Sequence, residues 1–269
     1  MSDQSSDGVC SLFFELAGDL RLAMLTRLVS KSYRLSQLAS ELGATMQEAH
    51  RNMTRLVDSK LVSKDREGEL VLTAYGRTVV DLLSGYDFLY NNADFFLDHS
   101  TGDMPAKFAQ RIGAFNDCEI VHGVMAILQR WKTLYGSSER FIREIMSQVP
   151  LDLIETVSSR VEKGVKFSYI FASNSVVPKG RTQMLQKLGW RNFISQGLVE
   201  RRMVPDVRVM TIFNERSGCV VFPDLKGEPD LNTMFYGESR PFLEWCSDYF
   251  NYCWEKAGPF DEDKLKHEV

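Results

Sequence analysis

The sequence predicts a mixed α+β and α/β protein: an N-terminal winged helix-turn-helix, a helical connector, and a C-terminal α/β effector domain with a central sheet. Three observations lead there. Within the first 76 residues, short helical segments meet at tight junctions and run into a polar hairpin turn. Residues 31–66 carry seven basic against four acidic residues, a local charge of +3 in a chain of net charge −4, so the remainder carries −7. Such an asymmetry suits a polyanionic partner for the N-terminal module alone. Beyond residue 140, strand-like apolar runs alternate with helical ones, as in a layered α/β fold.

The elements follow in order. Residues 1–10 are polar and are expected to form a disordered tail, with a short helix over Cys10 to Ala17. Leu20, Leu22, Ala23, Leu25, Leu28 and Val29 space an amphipathic helix behind Asp19 as N-cap. A second helix opens at Ser36 and stops at Gly43, a C-cap residue. Thr45 and Glu48 form a capping box for a third helix, which runs to about Ser59 and buries Met46, Ala49, Met53, Leu56 and Val57. Leu61–Lys64 and Leu70–Thr73 read as strands joined by a turn containing Gly68, the wing.

Helical patterns are expected over residues 74–98, with an apolar stripe from Tyr75 to Tyr90, then over Pro105–Ile112 and Glu119–Tyr135. Strands are expected over 141–149, 165–171, 198–204, 207–213 and 218–222, and helices over 150–162, 179–188 and 242–257. The resulting organisation is a tail (1–10), a winged helix-turn-helix (11–76), a helical connector with a dimer contact (77–115), the effector domain (116–260) and a second disordered tail (261–269).

The outward face of the third helix presents Gln47, Glu48, Arg51, Asn52 and Arg55. Arg can donate two hydrogen bonds to the guanine edge, and Asn or Gln can bond adenine, which makes Gln47, Arg51 and Asn52 the candidate base readers. Thr45 at the helix start and Arg55 a turn further on are candidates for backbone contact. Lys64 and Arg66 in the wing suit phosphate or the minor groove.

Catalytic signatures are missing. None of His50, His99, His122 and His267 begins an HxK motif, and there is no GxSxG, GxGxxG or P-loop. No zinc spacing is present, and Asp98-His99 is expected on an exposed loop. No cofactor is expected. Five scattered cysteines point to a reducing compartment, with Cys246 and Cys253 on one helix face in the core. No leader-like segment and no apolar run of about 18 residues occurs, so a cytoplasmic protein without a membrane span is expected. The aromatic-rich C-terminal third is mainly core, with Arg143, Arg181, Arg201 or Arg202 as candidate anion partners should a ligand pocket form there.

Leu72-Thr73-Ala74-Tyr75-Gly76-Arg77 resembles the "LT..G" exit of archaeal winged-helix regulators. Phe95-Phe96-Leu97-Asp98-His99, Met104-Pro105, Phe108 and Arg111-Ile112-Gly113, with the closing run from Phe242 through Trp245-Cys246, Tyr249-Phe250, Tyr252 and Trp254, resemble the effector domain of the archaeal methanogenesis (filament) regulatory protein family. The resemblance spans residues 12–257. It implies a DNA-binding regulator with a sensory or oligomerising C-terminal domain, and it carries over no ligand residues. Related archaeal regulators join a winged helix to a phospholipase-D-like sugar-sensing domain, an analogy of fold only.

The expectation is therefore a homodimeric regulator that binds double-stranded DNA, with a small-molecule effector as a further partner. An adaptor whose winged helix binds protein is the alternative, and a DNA-tethered phosphodiesterase-like enzyme is a more distant one.

Overall fold

The structure, a computed structural model, describes residues 3–148 and 150–267. The chain forms two compact units, Met1–Tyr86 and Asp87–Val269, each with its own hydrophobic core. No helix among the described residues is long and apolar enough to cross a membrane.

Unit 1 contains α1 (Asp3–Leu16), α2 (Asp19–Leu28), α3 (Leu35–Glu41), α4 (Met46–Asp58), β1 (Val62–Lys64), β2 (Leu70–Leu72) and the first turns of α5 (Ala74–Asn91). Residues 3–10 are the opening turns of α1 rather than a disordered tail, while residues 1 and 2 lie outside the described residues. Gly18, not Asp19, precedes α2 as its cap, and α3 begins two residues early, behind Arg34. Gly43 ends α3 at φ 64°, with its neighbour's Ala44 N donating back to Ala39 O at 2.9 Å.

Met24, Leu25, Leu38, Ala49, Met53 and Leu56 fill the core between α2, α3 and α4. Met46 and Val57, expected on the buried face of α4, are exposed. The wing strands pair antiparallel, Val62 opposite Leu72, and Tyr33 adds a one-residue bridge to Leu70.

Unit 2 opens with the end of α5, followed by α6 (Phe95–Asp98), α7 (Ala106–Ala109) and a 3-10 turn at Ile112–Phe115. There follow β3 (Glu119–His122), α8 (Val124–Ser137), β4 (Phe141–Met146), α9 (Leu151–Val161), β5 (Lys166–Ala172), β6 (Val176–Val177), α10 (Arg181–Lys187) and α11 (Trp190–Ser195). β7 (Val199–Val204), β8 (Met210–Asn214), β9 (Gly218–Val221), β10 (Thr233–Gly237), α12 (Arg240–Lys256), β11 (Gly258–Pro259) and β12 (Lys266–His267) complete it.

Eight strands form one sheet in the order β11-β7-β5-β4-β8-β9-β10-β3. β4, β5 and β7 are parallel; the β8–β9–β10–β3 half is antiparallel. β8 and β9 are buried at every residue, including the polar Thr211 and Asn214 of β8.

Three expectations change here. Residues 119–122 are an edge strand, and helix begins only after Gly123, whose φ of 91° breaks the run. The 105–112 helix is a single turn followed by a 3-10 turn. Residues 261–267 are ordered: Leu265 is buried and β12 pairs parallel with β6, while Val149, 268 and 269 lie outside the described residues.

The blocks that carry the family resemblance meet in the core. Phe108 packs on Trp245, Tyr249 and Tyr252, and Trp245 Nε1 donates to Phe108 O at 3.1 Å.

Candidate nucleic-acid interface

Helix α4 is fixed at both ends. Thr45 Oγ1 accepts from Glu48 N at 3.2 Å, and Glu48 Oε2 accepts from Thr45 N at 3.0 Å, the capping box read from the sequence. The Thr45 hydroxyl also donates to Glu48 at 2.7 Å, and these bonds hold the Glu48 carboxyl below its ordinary range. At the other end Lys60 takes φ 64°, so that Leu61 N reaches Leu56 O at 3.0 Å.

Opposite the buried Ala49, Met53 and Leu56, the polar face divides into two groups. The side chains of Gln47 and Arg51 are exposed, and neither hydrogen-bonds another described residue. Asn52 and Arg55 are half-buried and engaged. Asn52 Nδ2 donates to Glu48 O at 2.9 Å, and its Oδ1 accepts from Arg21 Nη1 at 3.2 Å. Arg55 donates twice to Glu15, at 2.9 and 2.7 Å, with its guanidinium 5.0 Å from the Phe14 ring centre. The Arg55 bond is the main reason the Glu15 carboxyl lies below its usual range, and it raises Arg55 in turn.

Glu15, Arg21 and Phe14 lie outside the helix-turn-helix and carry no motif. Arg21 is buried; it donates to Glu15 O and Phe14 O, both at 2.7 Å, capping the last carbonyls of α1. Gly18 makes room for this, since a Cβ there would sit 2.4 Å from the Arg21 Cζ. A glycine followed three residues later by arginine was the available signal.

In the wing, Lys64 ends β1 and Arg66 lies in the turn, both exposed. Asp65 Oδ1 orders that turn by accepting from Glu67 N at 3.0 Å and Glu69 N at 2.8 Å. Behind the wing, Thr73 Oγ1 accepts from Gly76 N at 2.8 Å and donates to Lys60 O at 2.7 Å, so Thr73 caps α5. Gly76 is obligatory, because a Cβ there would lie 1.9 Å from Leu61 O. The "LT..G" block is thus a helix cap and a close backbone approach.

In unit 2, Arg181 and Arg201 share Glu262, while Arg143 and Arg202 have other partners. Arg143 contacts Asn251 at 3.4 Å and lies over Phe250. Arg202 donates to Trp254 O at 2.6 Å and stacks on Trp254, and Arg201 pairs with Glu262 over Phe260. Arg181 alone is buried beside a cavity. His99 is not on an open loop: its Nε2 lies 3.0 Å from Asp230 Oδ2, and its ring stacks on Phe95 at 3.9 Å. Among the described residues no three His, Cys, Asp or Glu side chains group around a metal position. The cysteines are free; Cys246 is buried and Cys253 half-buried, with burial pushing the Cys253 thiol up to about 11.

Unit 1 is a winged helix-turn-helix by its fold, and unit 2 is an α/β domain on a central mixed sheet. No family model matches the chain, and no curated protein matches it. Among solved structures it is similar to TrmBL2, an archaeal chromatin protein described as showing a novel mode of DNA binding, at 14% identity over 92% of this chain and 95% of that one, TM-score 0.44. It is also similar to the homodimeric winged helix-turn-helix DNA-binding domain of Mb0332 from Mycobacterium bovis, at 21% identity over 35% of this chain and 93% of that one, TM-score 0.31. The phospholipase D family member Nuc from Salmonella typhimurium is similar at 11% identity over 54% of this chain and 98% of that one, TM-score 0.39. At these scores the likenesses carry no functional argument.

Proposed function

We propose that the protein is a transcriptional regulator that binds duplex DNA through unit 1, as a homodimer, and that unit 2 is its sensory domain, of the kind the family resemblance implies. The observation that carries this reading is the outward face of α4. The Gln47 and Arg51 side chains stand exposed without hydrogen-bond partners among the described residues, on a helix capped at one end and braced at the other by Arg55–Glu15. Side chains that read base edges must be free to bond them while the helix under them is held in place. Lys64 and Arg66 serve the phosphates. Asn52 and Arg55 act chiefly by holding α4, and Thr45 by capping it.

A second subunit is expected along α1 and α5. Val9 and Phe13 of α1 and Tyr75, Leu82 and Tyr86 of α5 are exposed, with Phe13 packed edge-on to Tyr86 at 6.0 Å. Leu89 and Tyr90 continue the exposed apolar side chains along α5. Two copies joined there would present two α4 helices to a palindromic site. Unit 2 is read as non-catalytic because it holds none of the nucleophile or phosphate-binding motifs sought in the sequence.

Fluorescence anisotropy against a duplex selected from random sequence tests the reading. Gln47→Ala with Arg51→Ala should weaken specific binding at least about tenfold while leaving stability unchanged, and wild-type affinity should fall steeply with salt. Specific binding that is indifferent to the double substitution would remove α4 as the reading helix. No binding even at low salt would favour the adaptor alternative.

A further inference from the structure

Helix α4 carries two large apolar side chains that the core of unit 1 does not take up. Met46 is 53% and Val57 40% exposed, and neither belongs to the hydrophobic cluster that buries Ala49, Met53 and Leu56. At about 100° per residue, both fall on one flank of the helix, between the buried stripe and the column of Gln47 and Arg51. Eleven residues separate them, about 16 Å along the axis.

Met46 is the first residue of α4, directly behind the Thr45 cap. The capping box ties Thr45 and Glu48 together in both directions, so the backbone that carries Met46 is held. A helical Cβ leans towards the helix N-terminus, and the N-terminal residues of a reading helix are the ones that reach base edges. Single exposed apolar side chains are common on protein surfaces, so exposure alone does not distinguish Met46 from Val57. Position does: Met46 sits beside Gln47 at the reading end, and Val57 sits three turns away. A thioether on an unbranched stem has little to offer a base edge except apolar contact, and it can follow the shape of a small group. Among the base edges in the major groove of B-DNA, the apolar group on display is the C5-methyl of thymine.

We propose that Met46 is a specificity-determining residue of the DNA interface, covering the C5-methyl of a thymine next to the base that Gln47 reads. This rests on the proposed role of α4 as the reading helix. Gln47 and Arg51 discriminate through hydrogen bonds, and Met46 adds an apolar element that selects thymine at a position they do not bond. Burial of one methyl group corresponds to about fourfold in affinity for each half-site, and to about fifteenfold when both half-sites of a homodimer are counted.

Replacing thymine by uracil, one position at a time, in a duplex selected from random sequence tests this with the full chain. Uracil pairs as thymine does and lacks only the methyl group. At one thymine of the half-site, uracil should weaken wild-type binding about fourfold, and about fifteenfold when both half-sites are changed. Met46→Ala should lose the same factor on the thymine duplex and should bind the thymine and uracil duplexes alike. Val57→Ala, on the same flank of α4 but beyond its reading end, should keep both the affinity and the preference of wild type. Both substitutions replace an exposed side chain with a good helix former, and circular-dichroism melts should match wild type.

A selected half-site without thymine, or uracil tolerated at every thymine, would overturn the assignment. So would a Met46→Ala protein that keeps the wild-type preference for thymine over uracil, or a Val57→Ala protein that loses it equally. The same titrations separate this proposal from the reading beneath it. Specific binding that depends on Gln47 and Arg51 but ignores the methyl group sinks Met46 alone. Absence of specific duplex binding sinks α4 as the reading helix, and Met46 with it.

Discussion

Arg51 and Arg55 are four residues apart on one helix, and the structure gives them different work. Arg51 is exposed on the face that would meet DNA, whereas Arg55 is bonded twice to Glu15. Arg55→Ala removes the main partner of the Glu15 carboxylate and should destabilise unit 1, seen as a lower midpoint in urea. An unchanged midpoint would show that the pair contributes nothing net. Glu144 gives a pH signature. Its folded-state carboxyl is raised to about 7 from 4.5, so the folded state holds its proton more tightly than the unfolded chain. This group's penalty is absent below pH 4.5, grows as pH rises towards 7, and is fully present above, at most on the order of 3 kcal/mol. Glu144→Gln keeps an acceptor for Tyr135 and should stabilise the protein at pH 8 with little effect at pH 4. Denaturation midpoints followed against pH check this; parallel wild-type and variant curves would rule Glu144 out as their cause. The capping residues Thr45 and Glu48 were legible in sequence because a capping box is a local pattern. The Glu15–Arg55 pair, 40 residues apart, was not.

At the scale of elements, the wing and the start of α5 depend on one close approach. Gly76→Ala drives a methyl into the Leu61 carbonyl and should cost about 2–4 kcal/mol in unit 1, through backbone displacement rather than lost packing. A circular-dichroism melt coinciding with wild type would contradict the geometry. The exposed apolar face of α5 carries the dimer prediction: Leu82 is 64% and Tyr86 59% exposed. Leu82→Glu with Tyr86→Glu should give a monomer in analytical ultracentrifugation, with wild type sedimenting as a dimer, and a monomeric wild type would remove this interface. Element by element, legibility followed sequence distance. β4, β5, β7, α9 and α12 announced themselves through strong local patterns. β3 did not, because its one neighbour in the sheet is β10, more than 100 residues away, and Glu119–His122 alone fits helix equally well; β10, which also pairs with β9, was not marked either.

At the scale of the whole molecule, the chain holds two separate hydrophobic cores, one in each unit. Calorimetry should therefore show two transitions, with Gly76→Ala and Arg55→Ala lowering one and Glu144→Gln shifting the other. A single transition moved by all three would mean that the units unfold together. The boundary falls inside α5, at Tyr86–Asp87, at the near end of the 85–100 stretch where the sequence has this helix leaving the DNA-binding module. What the sequence determined by itself is whatever is encoded within a few residues: the helix-turn-helix junctions, the capped α4 with its polar face, the wing, and the alternation that makes unit 2 an α/β domain. Tertiary structure alone decided which of those polar side chains remain free. It decided the order of the eight strands, and it brought Glu144, Tyr169, Arg181 and Trp190 around one cavity. Those outcomes depend on residues distant in the chain competing for the same buried space and the same hydrogen bonds, a competition that no local pattern records.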